Sequence, residues 1–233
     1  MSALILDIET AGFPANKFDK ATTKLIQQKL LKELADDPDK NAEEFFGLSP
    51  YTGQIVAIGT VDSESKRGAV YYLDPTGNTD DKEQEGVVFS SFITEAELLA
   101  KFWDLADKYD TFVTFNGRTF DLPFLNIRSA INKIKPSKDL MQGRYLYQQR
   151  GVTHIDVYDQ LTYYGGFRFT TGGSLHMACQ AFGISTPKEG DVDGSKVTPM
   201  FEAGRYREIA EYNARDIRAT KELYSFWRNY LAL

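Results

Sequence analysis

The chain has 233 residues, 42% of them hydrophobic and 26% charged, with a formal net charge of −6. These values are ordinary for one globular domain, and they argue against disorder, a collagen-like repeat or a small disulfide scaffold. No apolar run approaches the roughly 18 to 20 residues of a membrane-spanning helix, so we expect no membrane partner. Asp7 interrupts the N-terminal apolar stretch too early for a signal peptide, and Cys179 is the only cysteine, so we expect a cytoplasmic protein.

Five segments predict β-strands, because each is a short apolar run bounded by turn residues or charges. The polar segment 62–68 joins the second and third of them and indicates a hairpin. The predicted strands are 2–8, 55–61, 69–73, 111–115 and 152–158.

Five further segments predict α-helices, either from apolar residues at three- and four-residue steps or from capping residues. Thr94 and Glu97 form a capping-box pattern that starts one helix near Glu95. Ser174 is a predicted N-cap, and Gly183 is the C-terminal stop of the same helix. The other predicted helices are 17–35, 121–130 and 205–231.

The order of these elements predicts one α/β domain over residues 1–233. The early strands favour antiparallel pairing and the later ones alternate with helices, so we expect a mixed sheet of five to six strands flanked by helices. Segment 18–52 separates the first two strands and carries the first predicted helix. We predict that it is a helical insertion that forms a flap near the end of the first strand.

The acidic net charge hides a local reversal of sign. Segment 128–150 holds six lysines and arginines and a single acid, Asp139. One interpretation is a solvated surface loop, and the other is a flank that contacts phosphate groups. The cations are Arg128, Lys133, Lys135, Lys138, Arg144 and Arg150.

Two carboxylates end the first predicted strand. Asp7 and Glu9 are two residues apart, so their side chains leave the same face of the strand. The preceding residues are apolar on both faces, which is typical of a covered central strand, and carboxylates there need a cation or a partner. With only two histidines in the chain, a metal ion would sit on oxygen ligands, which suits Mg²⁺ or Mn²⁺.

A further carboxylate interrupts the inward stripe of the last predicted helix. Asp216 recurs at helical steps with apolar residues such as Ile209 and Leu223, and a buried Asp is costly unless it is neutralised or bound. Tyr212 precedes it by four residues and therefore lies on the same face. Packing alone would account for Tyr212, whereas Asp216 is the anomaly.

The third group of polar residues follows the strand at 111–115. Asn116 and Arg118 lie in a turn from which both could reach a ligand, and Asp121 begins the next helix. Asp121 could simply cap that helix, and Phe115 and Phe120 could be core residues or surfaces for base stacking.

The order Asp7-x-Glu9, Phe115-Asn116-x-x-x-Phe120-Asp121 and Tyr212-x-x-x-Asp216 resembles the three motifs of the DEDD 3′–5′ exonucleases. Glu211 stands where the histidine-type subgroup has its histidine, so the resemblance is to the tyrosine type. It is strongest to the proofreading domain of family B DNA polymerases and to the stand-alone exonucleases related to it. Three motifs in the right order make the resemblance specific, although each is weak alone.

The resemblance implies a ribonuclease H-like fold with two Mg²⁺ or Mn²⁺ ions held by Asp7, Glu9, Asp121 and Asp216. Two cations would neutralise four converging carboxylates and clamp both oxygens of an in-line displacement. Tyr212 is a poor base at neutral pH, so we assign it to orienting the attacking water. The predicted catalytic residues are these five. The predicted substrate contacts are Thr10, Phe115, Asn116, Arg118 and Phe120.

The predicted reaction is hydrolysis of single-stranded nucleic acid from its 3′ end, with DNA favoured over RNA. The expected protein partners are a polymerase, a helicase or another replication or repair protein. Two alternatives stay open: a catalytically silent module that docks nucleic acid, and a metal-dependent phosphohydrolase of small nucleotides.

Overall fold

The computed structural model describes residues 2–34, 42–78, 82–166, 173–186 and 194–232. Within these ranges, seven strands form one mixed sheet in the order β4-β5-β3-β2-β1-β6-β7. The strands are β1 (Leu4–Gly12), β2 (Gly53–Asp62), β3 (Gly68–Leu73), β4 (Lys82–Gln84), β5 (Val87–Phe92), β6 (Thr111–Thr114) and β7 (Thr153–Asp156).

The first strand occupies the interior of this sheet. β1 pairs antiparallel with β2 on one side and parallel with β6 on the other, and β7 continues the parallel half. Leu4, Ile5 and Leu6 are all buried, which confirms that the strand is covered on both faces. The carboxyl ends of β1, β6 and β7 therefore share one edge of the sheet, where parallel sheets commonly place ligands.

Helices flank the sheet, as predicted. The longest, α7, packs along β2, β1 and β3, while α2 packs against β3, β2 and β5. No described helix is long and apolar enough to cross a membrane. The helices are α1 (Lys20–Leu34), α2 (Glu95–Ala106), α3 (Asp121–Ile131), α4 (Val157–Leu161), α5 (Leu175–Phe182), α6 (Val197–Glu202) and α7 (Tyr206–Tyr230).

Most of the predicted elements are confirmed, including the β2–β3 hairpin and the capping box of Thr94 and Glu97. The strand count differs: β4 and β5 were not predicted, because β4 carries only exposed polar residues and β5 is held by pairing with β3. The predicted strand 152–158 is too long. Asp156 ends β7 by accepting a hydrogen bond from Tyr158 N (3.1 Å), and this cap starts α4.

The predicted insertion contains α1 and a 3-10 turn, Ala42–Leu48, while residues 35–41 lie outside the described ranges. The turn packs against the end of β1, where the Thr10 hydroxyl donates to Gly47 O (2.7 Å). Part of the insertion thus lies beside the residues that follow Glu9. Its action as a flap stays a prediction, as do the domain limits.

A buried ion pair joins α2, α3 and β2. Glu95, the first residue of α2, accepts hydrogen bonds from Arg128 Nε of α3 (2.9 Å) and from Ile55 N of β2 (2.8 Å). Asn132 Nδ2 donates to the same carboxylate (2.9 Å), and Arg128 Nη1 donates to Pro50 O (3.1 Å). Both ions are buried and hydrogen-bonded. Loss of either charge therefore leaves the other one buried without a countercharge.

Glu95→Gln keeps the side-chain volume but leaves the Arg128 charge uncompensated, so we expect the free energy of unfolding to fall by about 3 to 5 kcal/mol. Asp110→Asn is the matched control, because Asp110 pairs with Lys138 (3.1 Å) while its side chain is 67% exposed. We expect that control to cost about 1 kcal/mol or less. Urea denaturation measures both, and equal losses would contradict a structural role for the buried pair.

Candidate active site

Three carboxylates converge on β1, just past the residues that pair with β6. Asp7, Glu9 and Asp216 each offer an oxygen atom, and these oxygens all lie within 4.8 Å of one another. Glu9 and Asp216 are buried, and Asp7 is half-buried. Hard oxygen donors at this spacing fit a divalent cation such as Mg²⁺ or Mn²⁺.

Local backbone geometry brings these side chains together. Asp7 and Glu9 share a face of β1 by the two-residue period of a strand, and the β1–β2 register shifts between Glu9 and Thr10. Such an irregularity re-aims the side chains beside it. α7 delivers Asp216 from its buried stripe, in which the predicted residues Ile209, Tyr212 and Leu223 are also buried.

Asp121 lies next to this cluster but outside the set of three. It is the first residue of α3, so the helix is not capped by its side chain, and its Oδ1 accepts a hydrogen bond from Ile8 N (3.1 Å). Its charge nevertheless raises the pKa values of Asp7 and Glu9. The four predicted carboxylates are therefore assembled, three as one potential ligand set and the fourth bonded to β1.

Burial dominates the electrostatics of the cluster. Desolvation raises the pKa of Asp121 to about 7 and that of Asp216 to about 7. Desolvation and the charges of neighbouring carboxylates also raise the pKa values of Asp7 and Glu9 well above their ordinary range. One buried oxygen of Asp216 has no hydrogen-bond partner in the described structure. The residues thus fit a cation, which would supply the missing countercharge.

Tyr212 is buried beside Asp216, four residues away on α7. Desolvation and the nearby carboxylates raise its pKa, so the phenol keeps its proton, and its hydrogen bond to Asp216 offsets part of the rise in that carboxyl's pKa. Arg215, which the sequence analysis missed, lies over the ring of Tyr212, with 5.6 Å between the guanidinium carbon and the ring centroid. Its positive charge also lowers the pKa of Asp216.

Asn213 is a second residue that the sequence analysis missed. Its side chain is fully buried, and Nδ2 donates to Asp7 Oδ2 (2.7 Å) while also lowering the pKa of Glu9 through a hydrogen bond. Gly59 of β2 makes room for it, because a Cβ there would lie 2.2 Å from Asn213 Oδ1. The signal in the sequence was the glycine inside a predicted buried strand, which indicates close approach of another group.

The turn after β6 is fastened to β7. Asp156 accepts hydrogen bonds from Asn116 N (2.8 Å) and Arg118 N (2.9 Å), and Asn116 adopts a positive φ of 61°. The Arg118 guanidinium donates to the backbone carbonyls of Gln142 (2.9 Å) and Gly143 (3.3 Å). Arg118 thus anchors the loop that follows α3. Asn116, in the same turn as Arg118, is exposed to solvent.

The other predicted substrate contacts take part in packing. Phe115 lies edge-on to Tyr158, with 5.7 Å between ring centroids, and Phe120 packs against Phe124 at 5.4 Å. Both phenylalanines are partly buried against the core. Thr10 is half-buried and bonded to the insertion. A substrate role for these residues stays a prediction.

The basic segment 128–150 is not a continuous row of unpaired charges. Arg128 is buried with Glu95, Lys138 pairs with Asp110, and Arg144 pairs with Asp159 (2.5 Å). Half of the cations that suggested a phosphate-contacting flank are therefore paired with carboxylates. A phosphate contact could involve only part of the segment.

Comparison with known proteins identifies the family. The family described as "Predicted 3'-5' exonuclease related to the exonuclease domain of PolB" matches residues 47–230. The chain belongs to this family. The matched segment contains Asp121, Tyr212 and Asp216, whereas Asp7 and Glu9 on β1 precede it. The resemblance stated from the sequence motifs is thereby confirmed.

Relatives of this chain include DNA polymerases. DNA polymerase 1 of Saccharolobus solfataricus is 29% identical over 196 residues, which are 81% of this chain and 20% of the polymerase. DNA polymerase 1 of Sulfolobus acidocaldarius is 25% identical over 195 residues, 82% of this chain and 21% of the polymerase. The chain therefore spans about a fifth of the length of these relatives.

A solved structure supports the fold. The family B DNA polymerase from Pyrobaculum calidifontis superposes with a TM-score of 0.61 at 17% sequence identity, covering 97% of this chain and 24% of the polymerase. The expected α/β class, a mixed sheet flanked by helices, is confirmed.

Gly59→Ala tests the contact that positions Asp7. The added Cβ would overlap Asn213 Oδ1 and also lie 2.9 Å from Ile217 Cγ2. We expect a loss of about 1 to 3 kcal/mol in unfolding free energy, together with weaker Mn²⁺ binding in calorimetry. Gly194→Ala is the control, because nothing lies within 4 Å of its added Cβ. Wild-type Mn²⁺ affinity in Gly59→Ala would remove Asn213 from the site.

The raised carboxylate pKa values predict the pH dependence of stability. Between the ordinary value near 3.8 and the folded value of about 7, Asp121 and Asp216 bind protons in the folded state and not in the unfolded state. Metal-free stability should therefore fall as pH rises from about 4 to about 7 and level off above that. Thermal denaturation in EDTA measures the fall, and Mn²⁺ should raise the melting temperature more at pH 8 than at pH 5. A metal-free melting temperature that rises over this window would contradict the assignment.

Proposed function

We propose that this chain is a 3′–5′ exonuclease that hydrolyses phosphodiester bonds at the 3′ end of single-stranded nucleic acid, with DNA favoured over RNA. The observation that carries the proposal is the convergence of half-buried Asp7 with buried Glu9 and Asp216, whose oxygens lie within 4.8 Å of one another. Like charges gathered out of water need a cation, and a cation held by carboxylates alone suits phosphoryl chemistry. Membership of the exonuclease-related family supports the same reaction.

Asp7, Glu9 and Asp216 would hold one Mg²⁺ or Mn²⁺ ion, and Asp121 would complete the site for a second. When bound, the ions supply charge neutralisation for the phosphodiester and a nucleophile that is competent at neutral pH. Asn213 fixes the orientation of Asp7 through its 2.7 Å hydrogen bond. Asp121 accepts the hydrogen bond from Ile8 N through Oδ1, so its other carboxylate oxygen would bind the second ion while this hydrogen bond is kept.

Tyr212 and Arg215 would act on the substrate side of the carboxylates. The raised pKa of Tyr212 keeps its hydroxyl protonated, so it acts as a hydrogen-bond donor that orients the attacking water rather than as a base. Arg215 lies over the ring of Tyr212, so its positive charge would favour a phosphate held beside the carboxylates.

Single-stranded DNA is the proposed substrate, because an unpaired terminal nucleotide can enter a cluster of buried carboxylates and because the relatives are named as DNA polymerases. A polymerase, a helicase or another replication or repair protein is the proposed partner. The cytoplasmic location stays a prediction from the sequence.

Degradation of a 5′-labelled oligonucleotide tests the proposal. With Mg²⁺ or Mn²⁺ we expect a ladder that shortens from the 3′ end, faster for DNA than for RNA, and abolished by EDTA. Asp7→Asn removes one carboxylate charge and should lower the rate by about 100-fold or more. Asp110→Asn, which removes an exposed carboxylate, should retain the wild-type rate.

The outcomes separate the two alternatives from an exonuclease. Tight, salt-sensitive binding of the strand without degradation would indicate a silent docking module. Metal-dependent turnover of mononucleotides, with neither binding nor degradation of the strand, would indicate a phosphohydrolase of small nucleotides.

A further inference from the structure

A cluster of three tyrosines, two of them exposed, has no role in the chemistry described above. Tyr145 and Tyr147 stack with their ring planes 12° apart and their centroids 5.7 Å apart. Tyr164 contacts Tyr145, with 4.7 Å between centroids. Tyr147 is 74% exposed and Tyr145 is 39% exposed, so ring faces are open to solvent. We call Tyr145, Tyr147 and Tyr164 the tyrosine platform.

The platform is held at the edge of the sheet where the carboxylates lie. Tyr145 and Tyr147 belong to the loop whose carbonyls at Gln142 and Gly143 accept hydrogen bonds from Arg118. Tyr164 follows α4, which begins directly after β7. The loop that carries Tyr145 and Tyr147 and the strand that precedes α4 are thus both bonded to the turn that connects β6 to Asp121.

The loop is fixed in place before any ligand arrives. Buried Gln149 donates to Gly143 O and to His154 O, each at 3.0 Å, and accepts from His154 N at 2.6 Å. Tyr164 has a positive φ of 57°, a conformation that is rare for a bulky residue and is typically retained at functional positions. Rigid aromatic rings bind with little loss of conformational entropy.

The charges beside the platform complement a polyanion. Arg150 is exposed, and its guanidinium donates to the backbone carbonyls of Tyr147 (2.9 Å) and Gln149 (3.0 Å), so within the described ranges no carboxylate neutralises it. Arg144 pairs with Asp159, yet its side chain remains 48% exposed. Open aromatic faces next to a cation are the usual elements of sequence-tolerant single-strand binding.

We propose that the tyrosine platform stacks on unpaired bases of the single strand upstream of its 3′ terminal nucleotide, with Arg150 contacting a phosphate of the same strand. The proposal rests on the proposed function, whose substrate it extends from one terminal nucleotide to a longer segment. The proposal assigns the platform to binding the nucleic-acid strand. The alternative, a protein partner that covers these tyrosines, is distinguished by the experiment below.

Tyr147→Ala tests the platform with a 5′-fluorescein-labelled single-stranded DNA decamer, measured by fluorescence anisotropy in EDTA to prevent hydrolysis. Loss of one stacking ring should weaken binding about 5- to 100-fold. Tyr147→Phe keeps the ring and should stay within about twofold of wild type. Tyr230→Ala is the matched control, because Tyr230 is 77% exposed at the end of α7. With Mn²⁺ present, the Tyr147→Ala defect should appear as a higher KM rather than a lower kcat.

An abasic scan of the decamer separates stacking from a general effect on the protein. Removing the base that contacts Tyr147 should weaken binding to wild type and cost Tyr147→Ala much less. Equal losses in the two proteins at every position would overturn the proposal, as would wild-type affinity of Tyr147→Ala, which would favour a protein partner for these tyrosines.

These outcomes also separate the platform from the exonuclease. If the wild-type protein degrades the strand and Tyr147→Ala does so with an unchanged KM, the exonuclease proposal is supported and the platform proposal is contradicted. If the wild-type protein binds the strand without degrading it, and Tyr147→Ala does not bind, the platform proposal is supported and the exonuclease proposal is contradicted. If the wild-type protein neither binds nor degrades the strand, both proposals are contradicted.

Discussion

Burial of negative charge beside β1 is the constraint on which the rest of the structure depends. Asp7 and Glu9 lie within a strand that has neighbours on both sides, and α7 contributes Asp216. Desolvation raises all three pKa values, so these residues work against folding at neutral pH until a cation binds. The long helix and the central sheet must therefore supply the stability that the cluster removes.

A second set of contacts makes the site continuous with its surroundings. Asp156 at the end of β7 holds the backbone of the turn at Asn116 and Arg118, and the side chain of Arg118 holds the loop that follows α3. One turn therefore connects the helix that begins at Asp121 with the loop that carries the exposed tyrosines. A displacement of β7 would move both, which makes Asp156 a structural link between the carboxylates and the proposed path of the strand.

Sequence patterns predicted the features that depend on local periodicity and failed where long-range contacts decide. The helical steps around Asp216 placed it on the buried face of α7, and the two-residue spacing placed Asp7 and Glu9 on one face of β1. Counting charges could not show that Arg128 is buried against Glu95, because that pairing joins separate helices. Asn213 of α7 escaped notice for a similar reason, since its importance depends on Gly59 of β2, which is distant in the sequence.

The sheet ends, on the side away from β7, at a strand that sequence patterns do not reveal. β4 has three residues, Lys82, Glu83 and Gln84, all of them exposed, and it pairs only with β5 within the described ranges. An unpaired strand edge is a template on which other chains can assemble, and short length and charge are common means of preventing this. The composition that hides β4 from pattern analysis therefore also protects this edge of the sheet from aggregation.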